Sequence, residues 1–416
     1  MTFEVRPAES PAFKPGHAQI AWGDPGATGN GIRATADAWL TQLGPVSDRA
    51  IDLVRLAGAA YVADRLSRRG QGFTRTIDLH VQLCDPAPWL PVMPMVEHIL
   101  GWISGDEWHL GASREDATRP ATTIALADEA DTVALLSGGL DSFSGALLRA
   151  TPTLFVSHSD NPTVTAGQNS AWGWLAENGL TGGHLRVRFS ESATKRENTT
   201  RTRALLFYAL AIASADARGI ASVEVPENGF TSLNLALGND RGGVLSTRST
   251  HPWTMHMFRA LLDAVGLQVA IVNPYELCTK GELIAQASAG RADFGLGAAR
   301  TLSCAKLDGR TYKGGNPNLN CGLCVACLTR RAGLLAAGVI DSTPYLATTL
   351  VGEPLQQLRT RRALDVTAVM SRIETRVDEF VLLENGPYPD AFDLTAGADL
   401  CRRGLSELAA LLPKLA

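Results

Sequence analysis

A short apolar run that ends in two glycines constrains the fold of this chain more than any other segment. Residues 132–136 are TVALL, the composition of a buried strand, and residues 137–142 are SGGLDS. Two glycines let the backbone turn tightly and approach a ligand closely. Residues 143–150 then have a helical pattern. A strand, a glycine turn and a helix in this order predict an α/β unit whose helix N-terminus points at the turn.

Four further apolar runs follow the first one. They are residues 153–157, 185–189, 222–225 and 268–272, and helical patterns separate them, notably at residues 200–218 and 252–265. Short β-branched runs that alternate with helices are typical of a mostly parallel, doubly wound sheet. The sequence therefore predicts an α/β fold for this part of the chain.

At 416 residues the chain is longer than one typical domain. Residues 1–125 combine a helical pattern at 34–66 with strand-like alternation at 74–83, and they predict a small α+β domain without a chemical motif. The polar stretch 113–130 is the predicted boundary. Residues 126–340 form the predicted α/β domain, and residues 341–416 a helical segment with apolar spacing at Leu405, Leu408, Leu411 and Leu412.

Composition excludes several classes of protein. A net charge of −4 argues against a strongly basic nucleic-acid surface. No stretch reaches the about 18–20 apolar residues that a membrane span needs, and the first 16 residues carry acidic side chains and prolines where a signal peptide has an apolar core. We therefore expect a cytoplasmic protein with reduced cysteines and no membrane or direct nucleic-acid partner.

The glycine turn has the chemistry of an anion site. Free N–H groups at a helix N-terminus bind anions, and hydroxyl groups add donors for phosphate oxygens. Asp141 beside phosphates makes sense chiefly as a Mg²⁺ ligand or an orienter of water. The alternative is an ordinary Asp or Ser helix cap after a turn. The turn lacks the Gly-Lys-Ser/Thr ending of a Walker A loop. The predicted phosphate-binding residues are Ser137, Gly138, Gly139, Leu140 and Ser142.

Four of the seven cysteines lie within 24 positions, at Cys304, Cys321, Cys324 and Cys327. Four thiolates are the ligand set of a structural Zn²⁺ ion. The main alternative is an iron–sulfur cluster, which four cysteines also hold, whereas a redox pair needs only two. Basic side chains near the cluster would offset the charge of a tetrathiolate zinc: Lys306, Arg310, Lys313, Arg330 and Arg331.

The loop at residues 137–142 resembles the SGG-x-DS motif of the PP-loop ATP pyrophosphatase family. With the cysteines, residues 130–340 resemble the QueC family, the 7-cyano-7-deazaguanine (preQ0) synthases, through residues 201–206 (RTRALL), 273–282 (NPYELCTKGE) and 321–331. The resemblance implies ATP binding and adenylation of an acid, with Arg201 at the ATP site and Lys280 and Arg203 stabilising developing charge. Alternatively, both arginines are solvated helix charges, and Thr279 simply caps a helix.

Residues 227–234 stand where the QueC family has its substrate-recognition segment, with different side chains. Glu227, Asn228 and Gly229 are the predicted substrate-binding residues. A carboxylate at position 227 would accept from the ring N–H donors of a guanine-like base, by analogy with base-edge recognition in nucleic acids.

The added segments resemble enlarged QueC-like proteins of anti-phage systems, the QatC type of the Qat system and its counterpart in type IV CBASS. That resemblance implies adenylation of 7-carboxy-7-deazaguanine, with transfer of the acyl group to the N-terminal amine of a partner protein encoded nearby. A second hypothesis is a preQ0 synthase that uses ammonia. A third is a silent ATP-binding scaffold, against which the intact loop and cysteines argue. The first two require ATP, Mg²⁺ and Zn²⁺.

Overall fold

The computed structural model describes residues 2–7, 18–22, 31–34, 45–70, 74–115, 130–159, 161–191, 197, 201–237, 248–353 and 355–415. The strands in these ranges are β1 Thr2–Pro7, β2 Ala18–Trp22, β3 Gly31–Ala34, β4 Thr76–Leu83, β5 Glu107–Arg114, β6 Thr132–Leu135, β7 Thr153–Ser159, β8 Gly182–Glu191, β9 Ser222–Glu224 and β10 Ala270–Val272.

The α-helices of the described ranges are also numbered in chain order. They are α1 Asp48–Leu66, α2 Met93–Ser104, α3 Leu140–Leu147, α4 Pro162–Glu177, α5 Arg203–Asp216, α6 Gly229–Ser232, α7 Pro252–Val265, α8 Lys280–Ser288, α9 Phe294–Ala298, α10 Val325–Ala336, α11 Gln356–Ile373, α12 Glu379–Asn385 and α13 Leu394–Leu411. Not one of them is long and apolar enough to cross a membrane.

The described strands form one ten-stranded sheet in the order β10-β9-β6-β7-β8-β3-β2-β1-β4-β5. Each pair of neighbours is parallel except β3 and β8, which run antiparallel. All five apolar runs predicted after residue 130 are strands, so the predicted parallel α/β sheet is confirmed for this part of the chain.

The N-terminal segment is organised differently from the prediction. Its strands β1 to β5 pair in parallel with one another, with α1 and α2 between successive strands, which is an α/β arrangement. The predicted α+β character is therefore wrong for this segment. Alternation at residues 74–83 predicted β4 correctly, but alternation does not reveal whether neighbouring strands run parallel or antiparallel.

Apolar side chains on both sides of the predicted boundary share one core. Val5 and Tyr61 belong to the same buried cluster as Val133 and Leu206. Helix α1 is buried on most of its surface, and its run of small residues (AGAA at 57–60) lets it pack closely against α5. The division at residue 126 stays a prediction. Residues 35–44 of the predicted first helix, residues 116–129 of the predicted boundary and residue 200 lie outside the described residues.

The C-terminal helices α11 to α13 cover the cysteine-containing loop and α10. Leu405, Leu408 and Leu411 of α13 are buried, as their spacing predicted, and Leu412 is half-buried at the end of this helix. Their cluster includes all four cysteines of the loop. The C-terminal segment therefore packs directly against the predicted metal centre.

Candidate active site

The order in which strands are added to the sheet switches sides at β6. It adds β7 and β8 on one side of β6, then crosses over to place β9 and β10 on the other side. Ligands of such sheets bind outside the carboxyl ends of the strands at this switch point. A cavity of about 410 Å³ lies there. The predicted site residues that line it are Ser137, Gly138, Gly139, Leu140, Asp141, Arg203, Glu227, Lys280 and Cys304.

Close packing at Gly138 and hydrogen bonds of the flanking serines determine the shape of the glycine turn. Gly138 has φ of +84°, and a Cβ atom there would lie 2.9 Å from the backbone nitrogen of Gln168, so glycine is required. The backbone N–H of Ser137 donates to the Oγ of Ser142 at 3.2 Å, and the Ser142 hydroxyl donates to the carbonyl of Gly139 at 3.1 Å. Ser142 thus braces the turn from its buried side, while Ser137 lies at the cavity.

The segment before Cys304 is docked on this turn. The N–H of Leu302 donates to the carbonyl of Gly138 at 2.8 Å, and the N–H of Leu140 donates to the Oγ of Ser303 at 3.2 Å. The buried Arg330 guanidinium also donates to Ser303, at 3.1 Å. The cysteine loop and the phosphate loop therefore form one continuous wall of the cavity.

Asp141, in the first turn of α3, is paired with Lys280. Lys280 Nζ lies 2.5 Å from Asp141 Oδ1, and the Asn228 Nδ2 donates to Asp141 Oδ2 at 2.8 Å. Burial opposes ionisation of Asp141, but the Lys280 ammonium outweighs it, and the pKa of Asp141 falls from 3.8 to about 2. Asp141 is therefore a permanent anion at neutral pH.

Helix α8, which begins at Lys280, directs this side chain towards Asp141. Thr279 caps the helix through the N–H of Glu282, and the Glu282 side chain accepts in return from the N–H of Thr279. The capping alternative for Thr279 is thus correct, and it coexists with the placement of Lys280 at the cavity.

Glu227 lies at the same cavity as the Asp141 carboxylate, and its pKa is shifted in the opposite direction. Burial raises the pKa of Glu227 well above its ordinary 4.5, and the adjacent Asp141 charge raises it further. A hydrogen bond from Glu227 also helps to hold the pKa of Asp141 down. Thr231 donates to Glu227 Oε1 at 3.0 Å. The pKa values of the two neighbouring carboxyl groups are therefore shifted in opposite directions, down for Asp141 and up for Glu227.

Asn228 and Gly229 lie behind the cavity wall. The Asn228 amide nitrogen donates to Asp141 and to Thr231, and its oxygen accepts from the N–H of Thr231 at 3.0 Å, so both ends of the amide are used within the chain. At Gly229 a Cβ atom would lie 1.9 Å from the carbonyl oxygen of Glu276. Of the three predicted substrate-binding residues, Glu227 alone is among those that line the cavity. Their contact with a substrate stays a prediction.

The two predicted arginines point to different places. Arg203 lines the cavity, and its Nη2 and Nε donate to the carbonyl oxygen and to Nδ1 of His158, at 2.8 and 3.3 Å. Arg201 instead donates from Nη1 to the carbonyl of Ser104 at 2.9 Å, at the end of α2. The structure therefore brings Arg203 to the other site residues and leaves Arg201 outside the lining of the cavity.

The four predicted zinc ligands come together in a buried cluster. Their Sγ atoms lie within 4.8 Å of one another, with 3.8 Å between Cys304 and Cys324 and 3.9 Å between Cys321 and Cys327. Sulfurs about 2.3 Å from a tetrahedral Zn²⁺ ion are on the order of 3.8 Å apart. The cluster fits a single ion, whereas several irons and sulfides between the same sulfurs would require wider separations.

Arg362 of α11 is a residue of the metal centre that the sequence pattern did not indicate. Its Nε donates to Cys321 Sγ at 3.4 Å, and its Nη2 pairs with Asp308. Among the predicted basic residues, Arg331 donates to the carbonyl of Gly322 at 3.0 Å, but the Lys306 ammonium pairs with Asp365 at 2.7 Å. Compensation of thiolate charge therefore comes partly from the C-terminal segment.

The parallel sheet, its flanking helices and the glycine turn at the switch point fit a PP-loop-like fold. No family model matches the chain. Part of it is similar to proteins named 7-cyano-7-deazaguanine synthase, which supports a QueC-like relationship. The identity is 30% over 156 residues for the Xylella fastidiosa strain M12 protein, covering 32% of this chain and 62% of that relative.

Two other relatives carry the same name. The Methylobacillus flagellatus protein is 26% identical over 167 residues, covering 35% of this chain and 67% of its own length. The Thiobacillus denitrificans protein is 38% identical over 80 residues, covering 19% and 31%. The chain thus spans less than two thirds of the Xylella relative, at 62%.

Proposed function

We propose that this chain is an ATP-dependent ligase that adenylates 7-carboxy-7-deazaguanine and transfers the acyl group to an amine. One observation carries the proposal. The glycine turn, the ionised Asp141, the Lys280 ammonium and the four-cysteine loop all border a single cavity at the switch point of the sheet. The similarity to 7-cyano-7-deazaguanine synthases supports the choice of acid.

The lining of the cavity matches the charge changes of adenylation. A carboxylate oxygen of the acid attacks the α-phosphorus of ATP, the bond between the α- and β-phosphates breaks, and pyrophosphate leaves. Backbone N–H groups and the Ser137 hydroxyl offer hydrogen bonds to the departing anion, and Lys280 offers a cation. Asp141, which stays ionised, is the ligand type that Mg²⁺ prefers.

The second half of the reaction requires an amine. Its nitrogen attacks the acyl carbon, AMP leaves with the bonding electrons, and the amine loses a proton. We propose the N-terminal amine of a partner protein, encoded nearby in an anti-phage system, as the acceptor. Support for it is the resemblance to the enlarged QueC-like proteins. Ammonia is the second candidate, favoured by the similarity to proteins named 7-cyano-7-deazaguanine synthase.

Mass spectrometry of the complete reaction tests the proposal. The purified chain is incubated with ATP, Mg²⁺ and 7-carboxy-7-deazaguanine, with no acceptor, with ammonium, or with the co-expressed product of a neighbouring gene. We expect AMP release that depends on the acid, and an adduct on the N-terminus of the neighbouring protein. A free primary amide in the ammonium reaction, or the nitrile formed from it when a second ATP activates the amide oxygen for loss as AMP, would select the second candidate. Absence of AMP in every reaction would refute adenylation and leave the scaffold hypothesis.

A further inference from the structure

The helix that carries Arg203 is anchored by a carboxylate from the N-terminal segment. Asp64 Oδ2 accepts from the backbone N–H groups of Arg201 and Thr202, at 3.0 and 3.3 Å, and from the Thr202 hydroxyl at 3.0 Å. Thr202 is the residue before α5, and its own side chain makes no capping bond. A negative group from α1 thus stands at the positive end of α5, immediately before Arg203.

The preceding turn of α1 also supports the side chain of Arg203. Tyr61, one turn before Asp64, is fully buried and meets the His158 ring edge-on, with ring centroids 5.3 Å apart. His158 accepts two hydrogen bonds from the Arg203 guanidinium, one on its ring and one on its carbonyl. Phe207, on the next turn of α5, also packs edge-on against the His158 ring, with ring centroids 5.6 Å apart.

Asp64 is itself held in place by buried charge. Its Oδ1 accepts from Arg75 at 2.6 Å, and Arg75 is also paired with Asp106. Side chains of Asp64 and Asp106 are almost completely buried. A carboxylate fixed in this way cannot follow α5 if the helix moves, so it defines where the helix begins.

We infer that Asp64 and Tyr61 are positioning residues that hold Arg203 in the cavity. Asp64 fixes the start of α5, and Tyr61 fixes the imidazole on which the guanidinium rests. The N-terminal segment thereby contributes to the phosphate-binding cavity without touching its ligand. As a statement about ATP binding, the inference rests on the proposed function; as a statement about the anchoring of α5, it stands on the contacts alone.

A double-mutant cycle on ATP binding tests the role of Tyr61. Titration with a fluorescent ATP analogue is expected to give a Kd about tenfold higher for Tyr61→Leu than for the natural chain, which corresponds to a coupling of about 1.4 kcal/mol. Tyr61→Phe keeps the aromatic edge and should stay within about twofold. In an Arg203→Met background, Tyr61→Leu should cause no further loss, because the group it positions is gone. Equal losses in both backgrounds would overturn the role.

Hydrogen exchange tests the anchoring by Asp64 without any nucleotide. In Asp64→Ala the amides of Arg201 and Thr202 lose their acceptor, so exchange in a peptide covering 201–208 should become at least about tenfold faster. The matched control is Asp52→Ala on the same helix, since Asp52 accepts from the N–H groups of Cys84 and Asp85 and does not cap α5. Exchange in 201–208 that is unchanged, or equally fast in both variants, overturns the inference even if ATP binds. Failure of ATP to bind would refute the proposed function and leave this measurement decisive.

Discussion

Lys280 Nζ lies 2.5 Å from Asp141 Oδ1, although 139 positions separate the two residues in the chain. Both side chains are almost completely buried, at 7% and 6% exposure. A buried charge that loses its partner is destabilising, because neither water nor an opposite charge then compensates it. The pair therefore links the folding of the α3 and α8 regions to the electrostatics of the cavity.

Replacement of Lys280 by methionine should destabilise the fold. Asp141 would be left as a buried charge without its cation, at a cost of about 3 kcal/mol in the free energy of unfolding. Urea titration measures this cost. The double variant Lys280→Met with Asp141→Leu should recover part of the loss, since it removes both charges. If the double variant is as unstable as the sum of the single variants, the pair contributes no coupling.

Asp141→Asn should abolish AMP formation under conditions in which the variant, although less stable because the buried Lys280 loses its anion, is still folded. The amide preserves the shape of the side chain but removes the anion that we propose as the Mg²⁺ ligand, so the rate should fall by at least about 100-fold. Release of AMP from ATP and 7-carboxy-7-deazaguanine is the measurement. The control is Asp399→Asn, a half-exposed carboxylate paired with Arg402 and Arg403 on α13. Normal turnover by Asp141→Asn would show that the loop is wrongly assigned.

The raised pKa of the buried Glu227 predicts an unusual pH dependence of stability. The pKa of Glu227 is raised in the folded chain, so its contribution is fully present below about pH 4.5, its ordinary pKa, and is lost as pH rises towards the folded pKa. Glu227→Gln removes this loss. Its melting temperature relative to the natural chain should therefore increase as the pH rises above about 4.5 towards the folded pKa.

Thermal denaturation of both proteins at several pH values measures this difference. Glu276→Gln, at an exposed carboxyl group, is the control. If the melting temperature of Glu227→Gln depends on pH in the same way as that of the control, the raised pKa of Glu227 is contradicted.

The cysteine cluster predicts one equivalent of zinc whose loss loosens the C-terminal segment. Cys324→Ala should lower both the bound zinc and the yield of soluble protein, because metal binding and folding are coupled. Cys401→Ala is the matched control, since Cys401 is buried in the same apolar cluster but lies outside the four-sulfur group. Metal analysis of both variants gives the result. Full zinc content and stability in Cys324→Ala would refute the tetrathiolate site.

Removal of the metal with a chelator should also expose α11 to proteases. Arg362 connects this helix to Cys321, so the helix loses one of its attachments when the sulfurs separate. Cleavage near residues 348–356, detected by limited proteolysis, is the expected consequence. An unchanged cleavage pattern after complete zinc removal would show that the apolar packing of α11 to α13 suffices.

Local chemistry was predictable from the sequence, and directions of side chains were not. The glycine turn and the cysteines were found because their function depends on residues close together in the chain. Arg201 and Arg203 belong to one RTR run, yet Arg203 is the first residue of α5 and Arg201 lies before this helix. Only contacts with His158 and Ser104 separate their roles. Arg362 is 41 positions from Cys321, and nothing in its neighbourhood marks it as a partner of sulfur.

The pairing of strands across the N-terminal half was equally hidden. The sequence indicates the strands β1 to β5 at most by alternation or by a short apolar run. Neither pattern shows which strands pair with each other. The shared core joins these strands to α5 through residues that lie far apart in the chain. Sequence patterns therefore located the elements after residue 130 better than the arrangement before it.

Among the described strands, β3 and β8 are the one antiparallel pair, and this pair gives the two halves of the sheet opposite polarity. Strands β6 to β10 have their carboxyl ends at the end of the sheet that carries the cavity, so strands β1 to β5 have their amino ends there. The carboxyl ends of β1 to β5 therefore lie at the end of the sheet opposite to residues 137–142, and the described residues of the loops that follow these strands do not line the nucleotide site.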